Sequence, residues 1–113
     1  MGNGFGLDNK EVEKEYQEFI DEYVEISPLM GHERFRGKLV RIEKGHAVLN
    51  PHYSQEYNNE GAKYSLKDKN QKVNLMVPFA IRPVTREDLE ALCVLATEDA
   101  RNDVKKMREG KKD

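Results

Sequence analysis

The stretch Phe35-Arg36-Gly37-Lys38-Leu39-Val40-Arg41-Ile42-Glu43-Lys44-Gly45-His46-Ala47-Val48-Leu49-Asn50 decides the fold class. β-Branched and apolar residues crowd both sides of Glu43-Lys44-Gly45, a tight-turn sequence. It therefore reads as two antiparallel strands, 35–42 and 46–50, joined as a hairpin. Adjacent Leu39 and Val40 break strict alternation and imply burial on both faces or a bulge. Pro51 is expected to end the second strand, because proline cannot donate to a ladder.

Downstream, residues 51–62 are polar, with Asn58-Asn59-Glu60-Gly61 at the tip, and read as the longest loop, the kind of segment that carries function. A short strand at 63–67, a turn at 68–71 and the alternating Val73, Leu75 and Val77 form a second hairpin. Pro78 interrupts the ladder before 81–84 resumes an extended path. Thr85 opens a helix over 85–109, with Asp88 in the capping-box position and Val84 and Leu89 as a staple. Its stripe is Leu89, Leu92, Cys93, Ala96, Ala100, Val104 and Met107, and Gly110 is its stop. At 1.5 Å per residue it spans roughly 36 Å, long enough for its last turns to overhang a small domain.

Upstream, Val12, Tyr16, Phe19, Ile20, Tyr23 and Val24 recur at helical spacing, which predicts a helix over 8–26. Asp8 with Glu11 supplies a capping box, Leu7 and Val12 a staple, and Pro28 a stop. Residues 1–7 read as a Gly-rich flexible leader and 110–113 as a disordered Lys-rich tail. The chain is thus expected to be one α+β domain: an N-terminal helix, five short antiparallel strands over 35–84 and a long C-terminal helix.

Composition narrows the function classes. Charged residues make up 35% of the 113, and 19 basic residues against 21 acidic ones leave a formal charge of −2. No global positive field then concentrates nucleic acid or an anionic membrane, so such binding needs a local patch. The single cysteine, Cys93, excludes an intramolecular disulfide and fits a reducing compartment. No apolar run approaches membrane-spanning length and residues 1–6 lack the features of a secretory signal, so the expected location is cytoplasmic, with no membrane partner.

Five short strands with a tight first hairpin, a long loop and a Pro-broken last pair are what a small closed barrel needs to hide its edges. Gly37-Lys38-Leu39-Val40-Arg41-Ile42-Glu43, followed by Ala47-Val48-Leu49, resembles the Gly-x-Leu-x-x-hydrophobic-Asp and later hydrophobic-x-Leu pattern of the Sm-like family. Met76 to Val84 is similar to that family's fourth strand, one-turn corner and fifth strand. The resemblance covers residues 35–84 and implies an SH3-like or Sm-like barrel, subunits paired edge to edge and single-stranded RNA as a ligand. Glu43 stands where Asp is usual, Ala47 replaces the base-contacting Asn, and the corner Pro78-Phe79-Ala80 lacks the basic loop that grips uridine.

The residues that carry chemistry are few. His46 and His52 are candidates for acid–base work or metal ligation, with Glu56 or Glu60 nearby, but with His32 they form no compact ligand motif. Ser27, Ser54 and Ser65 lie in no nucleophile context. His52, Tyr53, Tyr57 and Tyr64 with Lys63 and Lys67 combine base-stacking rings with phosphate-neutralising charge. Lys105, Lys106, Arg108, Lys111 and Lys112 read as a solvated cluster that complements the helix C-terminus. The expectation is a non-catalytic binding or scaffold module, with no metal or cofactor, acting by self-association or on a protein partner. Single-stranded RNA binding and a small metal-dependent or acid–base enzyme are the alternatives.

Overall fold

The computed structural model describes residues 14–110. A 3-10 turn, Gln17–Phe19, leads into six strands: β1 (Tyr23–Pro28), β2 (Phe35–Glu43), β3 (His46–Asn58), β4 (Gly61–Lys67), β5 (Gln71–Asn74) and β6 (Phe79–Pro83). A long helix, Arg86–Gly110, follows. The strands form one antiparallel sheet in the order β4-β3-β2-β1-β6, with β5 also on β3.

Two sequence expectations are corrected here. The helix predicted over 8–26 does not run to Ile26. Its first residues lie outside the described residues; of the others only 14 and 15 are α-helical, 17–19 form a 3-10 turn, and β1 occupies Tyr23–Pro28. Asp21 breaks the path with φ 72°, a left-handed conformation that short polar side chains tolerate. Its N–H then donates to Leu39 O (2.7 Å) while Leu39 N–H donates to Glu22 O (2.9 Å), which aligns the next residues with β2. The helical spacing of Tyr16, Phe19 and Ile20 is satisfied instead by the 3-10 turn, which packs all three on the core.

The five-stranded SH3-like or Sm-like barrel is the second correction. Among the described residues there are six strands and the sheet is open, with β6 paired to β1 and β5 to β3. The second hairpin expected between 63–67 and the Val73-Leu75-Val77 strand does not form, since β4 and β5 each pair with β3 and β5 ends at Asn74. The extra length comes from residues 51–62, most of which extend β3 and start β4 rather than forming a loop. Pro51 is tolerated because it sits at a bulge. Gly37 faces His52 and Leu39 faces Leu49, so Asn50 and Pro51 oppose the single residue Lys38. A second shift, between Leu39 and Arg41, leaves Val40 as the extra residue on β2.

One face of the sheet holds the core: Val24, Ile26, Leu39, Ile42, Ala47, Leu49, Val73 and Leu75, closed by Tyr16, Phe19, Ile20, Phe35, Phe79 and Ile81. The Tyr16 and Phe79 rings meet at 5.2 Å. Burial pushes the Tyr16 hydroxyl up, helped by the Glu15 carboxylate. Lys44 and Gly45, both at positive φ, make the tight β2–β3 turn. Thr85 caps the helix, its hydroxyl accepting from Asp88 N–H (3.0 Å). Leu89 and Cys93 are the buried residues of its stripe, and the helix packs mainly along β4.

Candidate functional site

Beyond Asn50, β3 and β4 form a two-stranded arm, and alternation along a strand sorts its side chains by face. Tyr53, Gln55 and Tyr57 share one face with Leu66, Tyr64 and Ala62, their register partners. His52, Ser54 and Glu56 share the other with Lys67, Ser65 and Lys63. The rings and the lysines singled out in the sequence therefore lie on opposite faces.

The aromatic face is already occupied by internal contacts. Tyr53 and Tyr64 stack at 5.4 Å, and the Arg36 guanidinium lies 5.3 Å from the Tyr53 centroid. The Gln55 amide donates to the hydroxyls of Tyr57 (2.9 Å) and Tyr64 (3.1 Å). Burial, with the Cys93 and Tyr64 groups adding to it, pushes the Tyr53 hydroxyl up to about 12 against the pull of Arg36. The Cys93 thiol is likewise pushed up by burial and by Glu90, which keeps it a thiol rather than a nucleophilic thiolate. Tyr57 is the exposed ring of the set.

On the other face Lys67 pairs with Glu56 at 3.1 Å, and His52 Nδ1 lies 2.7 Å from Lys69 O. His46, at the start of β3, places its Nδ1 3.0 Å from Lys44 O. Six residues of strand, roughly 20 Å, separate the two histidines. Among the described residues no three His, Cys, Asp or Glu side chains gather where they could hold a metal ion.

The helix lies against the free edge of β4. Tyr64 N–H donates to Thr97 Oγ1 (2.9 Å), and that hydroxyl donates to Tyr64 O (3.4 Å), so one side chain satisfies both edge groups of a strand residue. Arg101 pairs with Glu60 at 3.2 Å and Arg108 Nη2 donates to Asn59 O at 2.6 Å. Gly61, at φ 119°, lets the hairpin tip approach, since a Cβ there would stand 3.0 Å from Ala100 O and from Val104 Cγ2.

Between tip and helix lies a cavity of about 440 Å³ lined by Asn58, Asn59, Glu60, Ala62, Lys63, Thr97 and Arg101. A second, of about 230 Å³, shares Glu60 and Arg101 and adds Val104, Lys105 and Arg108. Of these residues the sequence draws attention to Asn58, Asn59 and Glu60 at the tip, Lys63 as a phosphate-neutralising charge, Val104 in the helical stripe, and Lys105 and Arg108 as part of a solvated cluster. Thr97 and Arg101 were missed. Their signal was the small-residue run Ala96, Ala100 in the helical stripe, which marks where another backbone comes close.

A charged row crosses the sheet beside this arm. Glu25 opposes Arg36 on β2 and Arg82 on β6. The Glu25 side chain is buried, with Oε2 2.7 Å from Arg36 Nε and Oε1 2.9 Å from Arg82 Nε. The bond from Arg82 leads in holding its carboxyl below the ordinary value of 4.5; burial opposes it and Arg36 adds to it.

At one end of the sheet, the loop after β1 and the corner after β5 are tied by Leu29 N–H donating to Pro78 O (3.0 Å). These two segments carry Leu29, Met30, Met76 and Val77, which are 67%, 84%, 37% and 40% exposed. No described helix is long and apolar enough to cross a membrane. Comparison with protein-family models, curated proteins and solved structures finds no match to this chain.

Proposed function

We propose that this chain is a non-catalytic binding or scaffold module that acts by self-association through the face built from Leu29, Met30, Met76 and Val77. The observation that carries this reading is that large apolar side chains from two separate segments are exposed where a backbone hydrogen bond joins those segments. Single exposed apolar residues are ordinary, whereas a group of them on one surface marks an interaction site. Two of the four are methionines, whose unbranched side chains adapt to a partner's contour. His32, Glu33 and Arg34, exposed in the same loop, give the patch a polar rim of both charge signs.

A second copy is the occupant best matched to such a patch, because a two-fold contact needs one surface complementary to itself and a mixed-sign rim provides that. A reducing, cytoplasmic setting suits the single, buried, unpaired Cys93. Sedimentation of the full chain over a range of concentrations is the test. A dimer that Met30→Asp and Val77→Asp dissociate, with the far-UV spectrum unchanged, is the expected result. A chain that stays monomeric at every concentration overturns self-association and leaves a different protein as the occupant.

A further inference from the structure

The cleft between the hairpin tip and the long helix carries an inference that is independent of the apolar face. The chain as a whole is acidic, with 21 acidic residues against 19 basic. The lining of the two adjoining cavities reverses that balance: Lys63, Arg101, Lys105 and Arg108 stand against the single carboxylate of Glu60. We propose that this cleft is a binding site for a diphosphate group, with Lys63 and Arg101 contacting one phosphate and Lys105 and Arg108 the other.

Three features support it. The first is pre-organisation. Arg101 and Arg108 are each held to the hairpin tip by one contact, to Glu60 Oε2 at 3.2 Å and to Asn59 O at 2.6 Å. A guanidinium has five N–H donors, so both, exposed as they are, keep donors for phosphate oxygens while one donor each is directed to the hairpin tip. The second is shape. The cavities, of about 440 and 230 Å³, share Glu60 and Arg101 as a common wall, which matches two linked anionic groups better than one. The third is support from beneath: the Thr97–Tyr64 bonds and the close approach at Gly61 hold the two cleft walls at a fixed separation.

Glu60 sets the regulation of the site. Its carboxylate occupies Arg101 when no anion is present and repels an incoming phosphate, so binding requires Arg101 to be shared. A merely structural ion pair has no such consequence.

The test is calorimetric titration of inorganic pyrophosphate and, separately, of adenosine diphosphate into the full chain at low and at high salt. Saturable binding that weakens with salt is expected. Lys63→Ala, at an exposed residue, should weaken it about tenfold, the worth of one charge-assisted contact, with thermal melting unchanged. Glu60→Gln should tighten it several-fold. Pyrophosphate binding as tight as the nucleotide identifies a free diphosphate as the ligand; tighter nucleotide binding identifies a nucleoside-borne one. Absence of saturable binding for both probes, or binding that neither Lys63→Ala nor Glu60→Gln alters, overturns the proposal.

Discussion

From Ala47 to Leu49, strand β3 is wholly buried; from Gln55 to Asn58, the same strand is exposed at every residue. The first part has β2 on one side and β5 on the other, with the core cluster against its face. The second has β4 on one side and is stiffened within the arm by the Tyr53–Tyr64 stack. It meets the rest of the molecule where the helix packs along β4 and where directed polar contacts cross: Arg36 over Tyr53, Thr97 on Tyr64, and Arg101 and Arg108 on the tip. Between Asn50 and Lys67 no residue is fully buried. One continuous strand is thus stabilised by apolar burial at its start and by directed polar contacts at its end. The two surfaces proposed for binding lie outside the core, one apolar at the loop end and one polar at the hairpin tip.

Given that contrast, the two parts should respond to substitution on different scales. Leu49→Ala, at a side chain with no exposed surface, should cost about 2–5 kcal/mol and lower the denaturant midpoint for the whole chain in one cooperative step. A two-step transition would break the comparison by showing that the arm unfolds on its own. Gly37→Ala probes the junction. A Cβ at Gly37 would collide with Pro51 O and stand 2.9 Å from His52 Cα, both backbone atoms of β3 at the bulge. The strands cannot both keep their register, and a loss of about 3 kcal/mol in the same unfolding measurement is expected.

Glu25 tests the polar side of the comparison. Glu25→Gln removes the charge from two hydrogen bonds and should cost about 1.5–3 kcal/mol at neutral pH. The folded carboxyl lies below its ordinary value of 4.5, chiefly through Arg82, so the native state binds fewer protons there than the unfolded chain. Its contribution is complete above that value and is lost as pH falls through the lower folded value. Thermal melting followed from neutral to strongly acidic pH should show wild type losing its advantage over Glu25→Gln in that acid window. A constant difference between the two at all pH values would remove Glu25 from the charged row's stabilising role.

Much of this architecture was legible in the residues. The hairpin around Lys44-Gly45, the irregularity at Leu39-Val40, the Pro78 corner and the Thr85 cap all follow from turn, bulge and capping chemistry that acts within a few residues. What was illegible depended on partners distant in sequence. Tyr16 to Val24 keeps helical spacing, but hydrogen bonds to Leu39 and strand partners on β2 and β6 claim its second half. Pro51 reads as a strand terminator until the bulge opposite Lys38 gives it a place that needs no donor. Tyr53, Tyr57, Lys63 and Lys67 look like one site in the sequence. Once 51–58 is a strand, parity alone sends the rings and the lysines to opposite faces. The cleft was hidden because half of its lining comes from a helix some forty residues beyond the hairpin tip.

The smallest effect belongs to Thr97, and it separates the two parts of β3 most sharply. Its hydroxyl accepts from Tyr64 N–H and donates to Tyr64 O, so Thr97→Val keeps the shape and removes both bonds. The net worth of such bonds is about 1 kcal/mol, too little to disturb the core half of the sheet. The loss should therefore appear locally, as faster amide hydrogen exchange at Tyr64 and its β4 neighbours, with exchange at Val48 and Leu49 unchanged apart from the small shift in global stability. Equal acceleration across both halves of β3 would mean that the arm and the core open together. The contrast between them would then be one of exposure alone and not of independent stability.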